Sequence, residues 1–392
     1  MKVRILTAST PHVGIVPGAD AAAITQPYGG WRPRTVLGAN APGGLLLPPA
    51  TPTRSWLYGP RGVWLSPELV AVADTGNHRV LLWHGLPSQD GAPASVVLGQ
   101  PDDTSDSPGA GPGRMHLPTG VLVIDGALVV ADAWNHRILV WDSVPTLDGA
   151  VPDHVIGQPD AERVEPNAGG PVTGSTLYWP FGIAVIDGIF YVADTGNRRV
   201  LGWRQGLPLD GRPADVVLGQ PDPHSREENR GGEPGPDSFR WPHTITASAD
   251  GGILVADAGN HRLLGWSSHP DRDLPADHVI GQQDFTTATE SPYRPHDGRM
   301  VRFPYAAHTV DGALFVADTA NNRVLIWNQV PTGPNAHPDH VLAQPDFAHI
   351  GENRWESVAA DTLCWPYGLG VAGDLLAIAD SGNNRIVLWE RG

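Results

Sequence analysis

Six short clusters of carboxylate, carboxamide and guanidinium recur along the chain: Asp74-Thr-Gly-Asn-His-Arg79, Asp132-Ala-Trp-Asn-His-Arg137, Asp194-Thr-Gly-Asn-Arg-Arg199, Asp257-Ala-Gly-Asn-His-Arg262, Asp318-Thr-Ala-Asn-Asn-Arg323 and Asp380-Ser-Gly-Asn-Asn-Arg385. Such a set, with an imidazole in three copies, has the chemistry to hold a metal, to move a proton or to tie a tight turn. The pattern favours the turn. A group repeated in every unit is more economically a part of the scaffold than six separate active sites. The histidine at 78, 136 and 261 gives way to Arg198, Asn322 and Asn384, so no ring of metal-binding imidazoles is kept. Asp and Asn bond to nearby backbone in turns, and the Arg is placed to bridge the turn or pair with the Asp. The Gln-Pro-Asp that recurs further along each unit is read the same way.

The elements that position these groups follow from the spacing. Successive motif Asp residues lie 58, 62, 63, 61 and 62 positions apart, and a tryptophan stands four residues after each Arg (Trp83, Trp141, Trp203, Trp266, Trp327, Trp389). Each unit parses into four short strands. Strand a follows a proline (Pro60, Pro118, Pro180, Pro242, Pro304, Pro366). Strand b is an apolar run ending in Ala-Asp, and strand c runs from the Arg to the Trp. Strand d is a short segment such as Val96-Val-Leu-Gly-Gln100. Asp125-Gly126, Asp187-Gly188 and Asp311-Gly312 between a and b suit a two-residue hairpin. Four antiparallel strands repeated six times predict an all-β, six-bladed β-propeller, whose blades bury one another's faces. The Ala before each motif Asp lets neighbouring sheets approach, and the Trp fills the wider outer gap.

The expected blades are about 60–100, 118–158, 180–220, 242–282, 304–344 and 366–389. The last lacks strand d. A spare match, Thr35-Val-Leu-Gly38, is expected to complete it, within a propeller spanning 33–392 and preceded by a leader, 1–32, whose Val3–Leu6 run adds a strand or packs on the ring. Closing the ring this way removes open sheet edges.

The Asp-Thr-Gly-Asn-His-Arg-Val core with its Trp resembles the NHL repeat, in all six units. The Leu-Gly-Gln-Pro-Asp segment, the Gly/Asn-rich loop and the Trp-Pro that follows are similar to a bacterial type of NHL protein. The resemblance implies the fold, while its functions diverge. Relatives include RNA-binding modules of animal regulators, sensor domains of receptor kinases and the peptidyl-amidating lyase; lactonases and strictosidine synthase-like proteins are more distant.

Function is sought where repetition stops. Strand a begins on the face that also carries the b–c turns, so the long d–a loops share it. In most blades 20 positions separate the Asp of Gln-Pro-Asp (Gln-Gln-Asp in one copy) from the next proline, as from Asp160 to Pro180. Long loops on a rigid frame are common binding surfaces. The residues after the strand-a prolines, Arg61, Thr119, Phe181, His243, Tyr305 and Tyr367, should ring the mouth of the central channel. Five residue types occupy these six positions, and they either plug the channel or bind an anionic or planar ligand or a partner's side chain. His116, Tyr178, Arg240, Arg302 and Cys364 also vary just outside the ring, and His308 lies further along strand a.

The bulk numbers narrow the classes. A formal charge of −16 opposes phosphate backbones and anionic membrane surfaces, so neither nucleic acid nor membrane is expected, and RNA binding is the weakest alternative. One cysteine, Cys364, permits no intrachain disulfide and reads as a small buried apolar residue. No signal peptide or apolar run of membrane-spanning length is visible, and the expected compartment is the cytoplasm. No P-loop, dinucleotide fingerprint or nucleophile elbow occurs. The expected function is a non-catalytic scaffold with a protein partner and no cofactor. The alternative, suggested by the resemblance, is a metal-dependent lyase or lactonase-like hydrolase with a divalent ion in the channel. For that alternative His116, His243 and His308 are the weak candidate ligands: His243 and His308 fall in adjacent blades near one mouth, with His116 within approach, but no ring position carries three His and no metal site is committed.

Overall fold

The computed structural model describes residues 27–38, 50–290 and 296–392. Its strands form six separate four-stranded antiparallel sheets. In blade 3, strands a to d are Pro180–Ile186, Ile189–Asp194, Arg199–Trp203 and Val216–Leu218. The other blades repeat that order. Strand a lines the channel, and strand d lies outermost.

Blade 6 is closed by the other end of the chain. The strand Trp31–Gly38 pairs antiparallel with Arg385–Arg391, Val36 opposite Val387 and Trp31 opposite Arg391. The closing strand is therefore longer than 35–38 and begins inside the segment expected to be a leader. A turn at Pro27–Gly30 precedes it. The Val3–Leu6 run and the rest of the leader lie outside the described residues. Among the described residues, no helix is long and apolar enough to cross a membrane.

The cores sit between blades. One cluster joins Val129, Ile138 and Val140 of blade 2 to Phe190, Leu201 and Trp203 of blade 3. The repeated alanines (Ala73, Ala131, Ala193, Ala256, Ala317, Ala379) are fully buried, as close approach of sheets requires. The six repeated tryptophans are buried too, each contributing roughly 2–3 kcal/mol by area. In five blades the indole N–H also donates to a carbonyl of the c–d loop, for example Trp83 to Ala92 at 2.9 Å. Trp389 has no such partner. The physical reason is topological: in blade 6 no loop connects c to d, because d comes from the far end of the chain. The ring of Tyr28 instead meets Trp389 edge-on, 5.5 Å away.

Candidate functional site

Each b–c turn is built around its buried Asp. In blade 3, Asp194 Oδ2 accepts from Arg199 Nε at 2.8 Å and from Asn197 Nδ2 at 2.8 Å, while Oδ1 accepts from the backbone N–H of Tyr178 at 2.7 Å. The Arg199 guanidinium continues to the carbonyls of Pro223, Thr173 and Thr176. The same Asp–Arg pair recurs in all six blades, Nε to Oδ2 between 2.7 and 3.1 Å. These groups thus tie strand b, strand c and the long loop together and present no free chemistry. The glutamines after strand d belong to the same frame, as Gln220 Nε2 donates to the carbonyl of Arg198 at 3.1 Å.

The fifth motif residue, histidine or asparagine, has a role that its variability conceals. It adopts the left-handed conformation in every blade, with φ between 53° and 56°, which His and Asn tolerate better than most residues. Its side chain accepts a hydrogen bond from the residue before the next blade's proline. Leu117 N–H donates to His78 Nδ1 at 3.0 Å, Trp179 to His136 at 3.2 Å and Phe303 to His261 at 3.2 Å. Trp365 N–H donates to Asn322 Oδ1 at 2.9 Å and Gly59 to Asn384 at 2.9 Å. Imidazole Nδ1 and carboxamide Oδ1 sit at equivalent reach, so the two residues interchange. Burial lowers the pKa of His78, His136 and His261 to about 4, which keeps Nδ1 free to accept.

The seam between blades 3 and 4 is the exception. Arg198 has no acceptor to offer. Trp241 N–H bonds instead to Asp257 Oδ1 at 3.2 Å, and Trp241 lacks the positive φ of Leu117, Trp179, Phe303 and Trp365. Thr195 Oγ1 still donates to the Pro242 carbonyl across the seam. The guanidinium of Arg198 is left on the mouth face, bonded through one nitrogen to the carbonyl of Gly196, with its buried Nε unpartnered.

The six expected mouth residues do converge. Phe181 and His243 have ring centroids 4.2 Å apart, His243 and Tyr305 4.5 Å, and Tyr305 and Tyr367 4.4 Å, the last pair stacked. Arg61 lies over Tyr367 at 4.9 Å, and Thr119 Oγ1 donates to the Phe181 carbonyl at 2.8 Å. Glycines hold part of this ring rigid. A Cβ on Gly62 would come within 1.8 Å of the Thr119 carbonyl oxygen, and one on Gly182 within 2.1 Å of that of His243. The backbones of neighbouring mouth residues therefore pack where no side chain fits.

The ring separates two spaces. Below it the channel, about 410 Å³, is walled by strand a, including His308, Thr246 and Trp64. Above it is a mouth pocket of about 270 Å³. Arg61, Thr119, Phe181, His243 and Tyr305 form its floor; Trp134, Tyr178, Trp179, Arg198 and Trp241 form its walls. Trp134 and Trp179 stand 4.8 Å apart and are each more than a third exposed. Trp134 and Arg198 lie inside the motif that repetition assigns to the scaffold. Both break the repeat within it: Trp134 replaces a Gly or Ala, and Arg198 replaces the accepting His or Asn. Tyr367 belongs to the ring and lines the channel rather than this pocket.

His116, His243 and His308 are not brought together. His116 packs against His78 and Trp134 on the rim. His243 is buried in the ring, its Nδ1 2.9 Å from the Trp241 carbonyl, and burial lowers its pKa to about 3. His308 lies in the channel wall, where burial lowers its pKa to about 4. Among the described residues, no three His, Cys, Asp or Glu side chains are grouped to hold a metal. Cys364 is half-buried at the rim rather than fully buried, and burial pushes its thiol up to about 12.

Residues 239–266, which span the entry to blade 4 and its motif, match the NHL repeat. No curated protein matches the chain. Among solved structures, the WD40 propeller domain of Doa1 aligns over 93% of this chain and 98% of its own, with 12% identity and a TM-score of 0.50. Hydrazine synthase of Kuenenia stuttgartiensis aligns over 88% and 98%, with 12% identity and a TM-score of 0.46. Virginiamycin B lyase from Staphylococcus aureus aligns over 85% and 94%, with 13% identity and a TM-score of 0.41. The Doa1 likeness is one of fold.

Proposed function

We propose that this propeller is a non-catalytic interaction scaffold that offers its long-loop face to a partner protein. One observation carries the reading. Among the described residues the large aromatic side chains left most exposed are Tyr58, Trp134, Trp179, Trp355 and Trp365, and all five lie in d–a loops or b–c turns. The exposed large hydrophobics elsewhere, Leu147, Val151 and Leu209, are aliphatic and lie in c–d loops. Exposed indoles clustered on one face of a rigid frame are the side chains that anchor protein interfaces. Trp355, 79% exposed, ends the tight turn Glu352–Trp355, whose buried Asn353 is tied to Asn383. It is thus a projecting anchor on a fixed base.

The test is site-specific photocrosslinking in the native cell. A photoreactive phenylalanine at Trp355 is expected to trap one protein at near-stoichiometric yield, and Trp179→Ser with Trp365→Ser to abolish the product. The same probe at Leu209 is expected to give none. An identical set of products from both faces, or none from Trp355, would remove the basis for the proposal.

A further inference from the structure

We propose that the mouth pocket beside the seam of blades 3 and 4 is a binding site for a small planar anion, an aromatic carboxylate of one or two rings. The proposal rests on the mouth face being the working face, and not on the partner there being a protein.

Charge is the first argument. The chain carries a formal −16, yet among the described residues no carboxylate lines this pocket, while two guanidiniums do. Neither is neutralised. Arg61 makes no ion pair or side-chain hydrogen bond among the described residues, and its described contact is the face of Tyr367. Among the described residues the Arg198 side chain makes one hydrogen bond, to the neighbouring Gly196 carbonyl, no ion pair, and keeps a buried Nε without a partner. Unpaired guanidiniums in a concave site are donors waiting for an anion, and their planar fork matches a carboxylate.

Shape is the second. The walls and floor are flat rings, with Trp134, Trp179 and Trp241 around Phe181, His243 and Tyr305. The enclosed volume, about 270 Å³, lies just under the usual range for drug-sized ligands, which suits one or two fused rings. Stacking against indole favours a planar body.

The third argument is that the site exists only because the repeat is broken. Five blades spend the fifth motif residue on the bond to the next blade; blade 3 does not. Arg61 likewise stands where other blades place Thr, Phe, His or Tyr. A glycine or alanine in the other five blades becomes Trp134 here. These three departures all line one pocket.

Calorimetric titration of the full chain tests this with 2-naphthoate, its neutral counterpart 2-naphthamide, and inorganic phosphate. The expected result is one saturable naphthoate site per chain, at least tenfold weaker binding of the amide, and no binding of phosphate. Arg198→His, the residue of three sister blades, and Arg61→Thr, the residue of blade 2, should each weaken naphthoate at least tenfold with the melting temperature held within a few degrees. No saturable binding up to millimolar naphthoate overturns the proposal. So does equal affinity for acid and amide, phosphate binding as tightly as naphthoate, or unchanged affinity in both variants. Crosslinking at Trp355 that fails while naphthoate still binds sinks the scaffold reading alone; the reverse result sinks this site alone.

Discussion

Five seams between blades are fastened by an imidazole or carboxamide that accepts from the next blade's backbone, and one seam, between blades 3 and 4, is not. The difference separates residues repeated because the ring needs them from a residue repeated until something else was wanted. At the five seams the side chain points across the joint and is spent on the frame. At the sixth, Arg198 cannot accept, Trp241 takes a different backbone conformation, and a cation is left beside a cavity floored by aromatic rings. The frame tolerates the loss because Thr195 still bridges the seam and the Asp194–Arg199 core beneath it is intact.

The largest expected effect comes from breaking what both kinds of seam share. Asp194→Ala leaves the fully buried Arg199 guanidinium without its carboxylate, and should cost about 3–5 kcal/mol in denaturant unfolding; a loss under about 1 kcal/mol would show that the turn core is not what holds the loops. Next is the close packing at the mouth. Gly182→Ala drives a methyl into the His243 carbonyl and should cost about 1–3 kcal/mol, with a measurable shift in tryptophan fluorescence around the pocket.

A smaller effect separates fastened from unfastened seams directly. His136→Ala should cost about 1–2 kcal/mol by leaving the Trp179 N–H unpaired, whereas His136→Asn, which keeps an acceptor at the same reach, should stay within about 0.5 kcal/mol of the parent. Equal losses for Ala and Asn would mean that packing, rather than the hydrogen bond, is what the imidazole supplies.

The effect that is smallest at neutral pH, and grows as acid is added, is a pH dependence. The fastening histidines have pKa values lowered to about 4 in the fold, against about 6.5 in the unfolded chain. Between those values the unfolded state binds more protons, so stability falls as pH drops from 6.5 toward 4. Replacing His78, His136 and His261 together by Asn should flatten that part of the profile, leaving the share due to His116, His243, His278, His296 and His308, whose pKa values burial also lowers. An unaltered slope in the triple variant would place the titration elsewhere.

The fold was legible because its signals repeat. Asp, Asn, Arg and Trp recur at a spacing of about sixty residues, and six copies outweigh any local ambiguity in reading a strand. The closure by Thr35–Gly38 was also readable, since a strand without a partner and a blade without its outer strand imply each other. Its extension back to Trp31 was not, because the proline within Trp-Arg-Pro-Arg argues against a strand, and the segment is held by pairing with Arg391, Glu390 and Trp389. The ring of mouth residues was legible from the proline preceding each. The pocket was only half so: its floor was expected, but Trp134 and Arg198 sit inside a motif read as pure scaffold, and Trp179 and Trp241 looked like part of a repeated Trp-Pro.

The amino-acid sequence alone determined that six like units close into a ring and that their polar motifs serve turns, because local propensity and burial pattern act within each unit and are the same in all of them. Which departures from the repeat meet in space was decided by the tertiary structure. Arg61, Trp134 and Arg198 come from blades 1, 2 and 3, more than seventy residues apart for the first pair and sixty-four for the second. Only the curvature of the closed ring turns those distances into the walls and floor of one cavity.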